Sequence, residues 1–102
     1  MKQHSNTQKQ DIRAAAGSLY QAFFDMANPA QVRRFLLDLC TPAEIEAMVD
    51  RWWVALLLSE NRSYREISEI TGVSVTTIGR VARFIDMGEG GYRIALERAG
   101  AS

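Results

Sequence analysis

The stretch Ser63-Tyr64-Arg65-Glu66-Ile67-Ser68-Glu69-Ile70-Thr71-Gly72-Val73-Ser74-Val75-Thr76-Thr77-Ile78-Gly79-Arg80-Val81-Ala82-Arg83-Phe84 reads as two short helices broken at Gly72. That pattern is a helix-turn-helix, and it points to DNA. Ser63 can cap the first helix, with Glu66 three positions on reaching back to it, and Ser74 can cap the second. Gly72 can take the left-handed backbone conformation that a sharp turn demands, and Val73 can plug the angle between the helices. Ile67, Ile70, Val73, Ile78 and Val81 are then expected to form a small shared core. That leaves Arg65, Ser68, Val75, Thr76, Thr77, Gly79, Arg80 and Arg83 on the surface a groove could meet, with the capping Ser74 beside them.

Charge sharpens this reading. Val75 to Phe84 holds two arginines, two threonines and no acid, although the whole chain has 12 basic and 12 acidic residues. Near-zero net charge argues against a non-specific nucleic-acid coat and favours phosphate contacts from one patch. A helix-glycine-helix corner with an apolar plug can also be plain architecture, so a helical protein-interaction module without specific DNA binding stands as the rival reading. Salt separates the two, because phosphate contacts weaken steeply with ionic strength and an apolar interface does not.

The flanking sequence reads as helices too. Residues 1–10 are polar and without periodicity, and are expected to be a flexible tail ahead of a helical domain over 11–102. From Ile12 apolar residues fall at 12, 15, 16, 19, 20, 23, 24 and 27, the spacing of one helical face, carrying Leu19, Tyr20, Phe23 and Phe24. Asn28-Pro29 supplies a cap and a first-turn proline, and Val32, Phe35, Leu36, Leu39 and Cys40 mark a second helix. Thr41-Pro42-Ala43-Glu44 repeats the signal with a capping-box glutamate. The third helix carries Ile45, Met48, Val49, Trp52, Trp53, Leu56 and Leu57 and is expected to end near Asn61, with both tryptophans in the core. The helix-turn-helix occupies 63–87, Gly88 stops it, and a last short helix runs from Tyr92 to Arg98. No strand signal appears, so the expected fold is all-α with six helices.

Six helices with broad apolar faces are hard to satisfy within one small monomer, where the buried fraction is limited by size. The surplus predicts a homodimer, with the aromatic stripe of residues 12–27 packing across a twofold axis; the alternative is that the stripe folds back on its own core.

Several function classes are excluded on composition. The only histidine, His4, lies in the polar tail, so no triad, no His-based metal site and no evident general base can be assembled, and the expectation is a protein that is not an enzyme and needs no cofactor. Glu44 with Glu46 and Glu66 with Glu69 have capping or solvent-facing roles. The single cysteine, Cys40, ends an apolar helical stripe and reads as a buried small hydrophobe. The longest apolar run, Trp52 to Leu58, is far short of the roughly 20 residues of a membrane span, and no signal-peptide core opens the chain. A soluble cytoplasmic protein is expected, with double-stranded DNA and a second copy of itself as partners and no membrane.

From Arg34 onward, Phe35-Leu36-Leu37-Asp38-Leu39-Cys40-Thr41-Pro42, Glu44, Arg51, Ser63 to Phe84, Gly88 and Tyr92 resemble the Trp-repressor superfamily, and within it the YerC/YecD branch, over about two thirds of the chain. The resemblance implies an all-helical, intertwined dimer whose recognition helices enter successive major grooves about 34 Å apart. It places the family's DNA contacts on Arg65, Ser68, Val75, Thr76, Thr77 and Gly79, with Arg65 and Thr77 on phosphate and Val75 and Thr76 facing base edges. Ser68 stands where the repressor has a lysine. Short side chains of this kind suit methyl contacts and water-mediated hydrogen bonds better than bidentate readout of guanine.

The resemblance also marks a candidate effector pocket. Arg51 and Arg80 match the two arginines that hold tryptophan in the repressor. Val81 stands where the repressor has a glycine making room for the indole, and Phe84 where it has a serine for the amino group. Filling the cavity and removing that hydrogen-bond partner predicts that tryptophan does not bind, and that Val81 and Phe84 pack the recognition helix into place without it. Arg51 and Arg80 are then phosphate contacts, ion-pair partners for Glu44, Asp50 or Asp86, or ligands for another anion.

Overall fold

The structure is a computed structural model that describes residues 5–101. Six helices follow in order: α1 (Asn6–Phe24), α2 (Pro29–Leu39), α3 (Pro42–Ser59), α4 (Tyr64–Thr71), α5 (Val75–Met87) and α6 (Gly91–Arg98). No strand occurs among the described residues, and the all-α expectation holds. Five of the six helix starts are written in side chains, the fifth being Ser74 ahead of α5. Ser5, Thr41 and Ser63 each form a reciprocal capping box with the residue three positions on, and Asn28 accepts from the Gln31 N–H at 3.0 Å ahead of Pro29.

The first of these boxes revises the tail expected over 1–10. Ser5 accepts from the Gln8 N–H at 3.2 Å while its own N–H donates to Gln8 Oε1 at 2.8 Å, so α1 starts at Asn6, six residues before its apolar stripe. Capping satisfies the orphan N–H groups of a first turn whether or not that turn is apolar, which is why periodicity places the start too late. His4 and the rest of residues 1–4 lie outside the described residues.

Where one domain was expected over 11–102, the chain divides into two compact units, Met1–Cys40 and Thr41–Ser102. The first comprises α1 and α2. Phe23 and Phe35 join the two helices with ring centroids 5.1 Å apart and planes tilted by 49°, a favourable arrangement for the ring quadrupoles. Neither helix holds a buried residue, and Tyr20 and Phe24 are 69% and 83% exposed.

The second unit comprises α3 to α6 around a core of Val54, Ala55, Leu57, Ile67, Val73, Ile78, Val81 and Leu96, with Trp52, Leu58, Ile85 and Tyr92 packed against it. Two expectations for this core change. Trp53 is exposed, and the inner face of α3 runs instead through Val54, Ala55 and Leu57. Residues 53 and 54 differ by about 100° around a helix, and α4 and α5 meet the arc centred on Val54. Ile70 is exposed as well: α4 turns Ile67 fully inward with Ser68 and Thr71 half-buried beside it, which rotates Ile70 to the outer flank.

A candidate nucleic-acid interface beside a cleft

Gly72 adopts φ +75°, the left-handed conformation that closes α4, and its N–H donates to the Ser68 carbonyl at 2.9 Å. The Thr71 hydroxyl donates to the Ile67 carbonyl at 2.7 Å and accepts from the Val73 N–H at 3.0 Å. The turn is therefore tied at both ends before Val73 enters the core. Ser74 then accepts from the Thr77 N–H at 3.2 Å and donates to Thr77 Oγ1 at 3.1 Å, which starts α5 and orients the Thr77 hydroxyl. Ile78 and Val81, both buried, hold α5 down by its inner side.

With those residues inward, Ser74, Val75, Thr76, Arg80 and Arg83 stand exposed, and Thr77, Gly79 and, on α4, Ser68 are half-buried. Arg65 is 90% exposed and pairs with Glu69 at 3.4 Å along α4. Such an exposed i,i+4 pair is weak and yields readily to another anion. Arg80 and Arg83 form no ion pair among the described residues. The residues read from sequence as a groove-facing set are thus on the surface of the helix-turn-helix or at its edge, on two helices that share one corner.

The helix starts carry the clearest electrostatic signal. Glu66 is held below the ordinary glutamate range, first by the Ser63 N–H and then by the Ser63 hydroxyl, against an opposing desolvation that exceeds the help from the Arg62 guanidinium. Glu44 is lowered in the same way by the Thr41 N–H and hydroxyl. A hydrogen bond donated to a carboxylate is stronger than one donated to the neutral acid, which favours the charged form of both residues.

Beside the interface, Arg51, Thr77, Arg80, Val81, Phe84 and Tyr92 line a cleft of about 320 Å³. All four residues read as a candidate effector pocket thus meet at one place, joined by Thr77 and Tyr92, which were not placed there from sequence. Thr77, Arg80 and Phe84 follow the three-and-four spacing of one helical face, the signal that links Thr77 to the other two. Asp86 pairs with Arg93 at 3.3 Å and Glu44 serves the α3 cap, so neither engages Arg51 or Arg80. The expected packing role of Phe84 is not seen. Val81 is 1% exposed and fills the core, whereas Phe84 is 53% exposed. Ile85, four residues beyond Val81 and on the same side of the helix, takes the position against the core and leaves Phe84 on the cleft rim. Phe84 also borders a second, more apolar cleft of about 480 Å³ with Trp52, Tyr92 and Ala95. Among the described residues no cluster of metal-ligating side chains occurs, and no helix is long and apolar enough to cross a membrane.

Comparison with known proteins agrees with the geometry. The family model described as Trp repressor protein matches residues 15–100. The uncharacterized protein YerC of Bacillus subtilis (strain 168) is 36% identical over 80 residues, covering 78% of this chain and 77% of that protein. Among solved structures, a TrpR-like protein from Eubacterium eligens ATCC 27750 is 38% identical with a TM-score of 0.80, covering 85% of this chain and 90% of that one. A Trp repressor candidate from Staphylococcus aureus is 31% identical with a TM-score of 0.81, covering 87% and 89% respectively.

Proposed function

The chain belongs to the Trp repressor protein family, and from that premise we propose that it is a sequence-specific DNA-binding regulator of transcription, a repressor that acts as a homodimer in the cytoplasm. The observation that carries this reading is the outer surface of the helix-turn-helix, where Arg80 and Arg83 stand without carboxylate partners among the described residues on a helix whose first ten residues hold no acid. Unpaired guanidinium groups keep their full attraction for phosphate. Arg65 and Thr77 are assigned to the backbone, Val75 and Thr76 to base edges, and Ser68, Ser74, Gly79, Arg80 and Arg83 to the surrounding contact surface. The role is regulatory and not enzymatic.

The homodimer is supported by what α1 and α3 leave uncovered: Tyr20, Phe24, Val49 and Trp53 are all exposed. Aromatic surface of that extent is the material of subunit interfaces. In a twofold dimer the two α5 helices reach successive major grooves about 34 Å apart.

Tryptophan is not the effector in this reading. The cleft keeps two guanidinium groups, but the resemblance puts Val81 where the repressor leaves room for the indole and Phe84 where it has a serine for the amino group, so the hydrogen-bond partner of that group is missing from the lining. Arg51, Arg80, Val81 and Phe84 remain the candidate effector pocket for a different anion. Calorimetry is expected to show no heat of tryptophan binding, and micromolar affinity would overturn this assignment. The DNA reading is tested by selecting bound fragments from a genomic library with purified protein at two salt concentrations. A twofold-symmetric, salt-sensitive site is the expected result; a protein that enriches no sequence at either salt concentration would refute specific binding.

A further inference from the structure

We propose that Tyr64 is a DNA-contacting residue, its phenolic hydroxyl donating to a backbone phosphate from a seat on the bare backbone of Gly79; the inference rests on the DNA-binding reading above. Three observations meet at this residue. Tyr64 is the first residue of α4, directly after the Ser63 cap, and it is 44% exposed although its ring is large and apolar. The ring reaches across to the other helix of the motif: a Cβ at Gly79 would stand 3.8 Å from Tyr64 Cε2, ordinary van der Waals contact. Among the described residues its hydroxyl makes no hydrogen bond to the protein.

The place of contact gives the ring its role. On α5, Val75, Thr76 and Arg83 are three or four positions from Gly79 and share its side of the helix, with Arg80 about 100° further round, all of them exposed. Cε2 is bonded to the ring carbon that carries the hydroxyl, so the polar tip of Tyr64 lies at the margin of that surface, next in sequence to Arg65. A ring supported on one edge loses little freedom when its hydroxyl is engaged, which makes it an efficient contact. Tyrosine hydroxyls are among the groups that bond phosphate oxygens in protein–DNA interfaces. Gly79 bears on the seat as well. Glycine inside a helix is unfavourable relative to alanine, and at this position a side chain longer than a methyl would compete with the ring for the same space.

The test is fluorescence anisotropy of the full chain on its selected duplex, over a salt series, for the wild type and for Tyr64→Phe, Tyr64→Ala and Arg83→Ala. Tyr64→Phe keeps the ring and its seat, so folding is undisturbed. It is expected to weaken binding roughly fivefold on every duplex tested, with an unchanged dependence on salt, because a neutral donor displaces no counterion. Tyr64→Ala is expected to weaken binding further, and Arg83→Ala to flatten the salt dependence. Wild-type affinity retained by both Tyr64 variants, while Arg83→Ala is impaired, would overturn the role of Tyr64 and leave the DNA-binding reading standing. A wild-type protein that binds no duplex would overturn both.

Discussion

Replacing Arg83 by alanine should remove one phosphate contact per subunit and reveal itself as a change of slope before it reveals itself as a loss of affinity. The chain presents three arginines on the helix-turn-helix surface: Arg65, 90% exposed and only weakly engaged with Glu69, and Arg80 and Arg83, which have no ion pair among the described residues. If all three reach phosphate in both subunits of a dimer, the logarithm of the association constant should fall against the logarithm of salt concentration with a slope of about −5, at about 0.9 per phosphate for duplex DNA. Between about 50 and 200 mM salt that slope corresponds to a loss of roughly a thousandfold in affinity. Arg83→Ala should bring it to about −4, so the variant binds almost as well as wild type at high salt and visibly worse at low salt. Arg83 is exposed and outside the core, so thermal stability should be unchanged and the comparison clean. Anisotropy titrations of one labelled duplex at five or so salt concentrations would measure both slopes. A wild-type slope near zero, or one that Arg83→Ala leaves untouched, would refute the assignment of these arginines to phosphate.

Three further outcomes concern the scaffold that holds the surface. Gly72→Ala meets no atom within 4 Å of the added Cβ, so its cost is the left-handed backbone alone; a loss of about 1 kcal/mol in urea unfolding is expected, and an unchanged midpoint would contradict the φ of +75°. Ile78→Ala empties a fully buried site on the inner side of α5 and should cost about 3 kcal/mol, with the proposed DNA binding recovered when the variant is stabilised by osmolyte. The caps of α3 and α4 predict an acid limb. Glu44 and Glu66 have lowered folded-state values, so their contribution is present above the unfolded carboxylate value and is lost as pH falls through the folded one. Glu44→Gln together with Glu66→Gln should flatten stability against pH in that window and leave it unchanged in slope near neutrality, as read by denaturation at a series of pH values.

Much of the surface was legible in the linear sequence because its instructions are short-range. Ser63 with Glu66, Ser74 with the N–H groups after it, and Thr41 with Glu44 act over three residues, and a capping serine bonds the same N–H whatever lies beyond it. Gly72 needs only its own backbone conformation to make the turn. Arg51, Arg80, Val81 and Phe84 could be grouped only through the family resemblance, and they do meet at one cleft.

The choice of which apolar residue on each helix faces inward was made by tertiary packing. A helix with apolar residues around most of its circumference has no preferred rotation until a neighbour meets it, and a turn of about 100° per residue then separates Val54 from Trp53 and Val81 from its near neighbours. The core accepted Val54, Ala55 and Ile85 and left Trp53, Ile70 and Phe84 outside. The seat of Tyr64 on Gly79 belongs to the same class of fact, since residues fifteen apart in sequence meet only once α4 and α5 have docked. The sequence by itself determined where the helices begin, where they turn and which charges travel with them, because those effects are local. The rotation of each helix, and with it the surface left for a partner, was decided by packing, because burial depends on which faces meet and not on how far apart their residues lie along the chain.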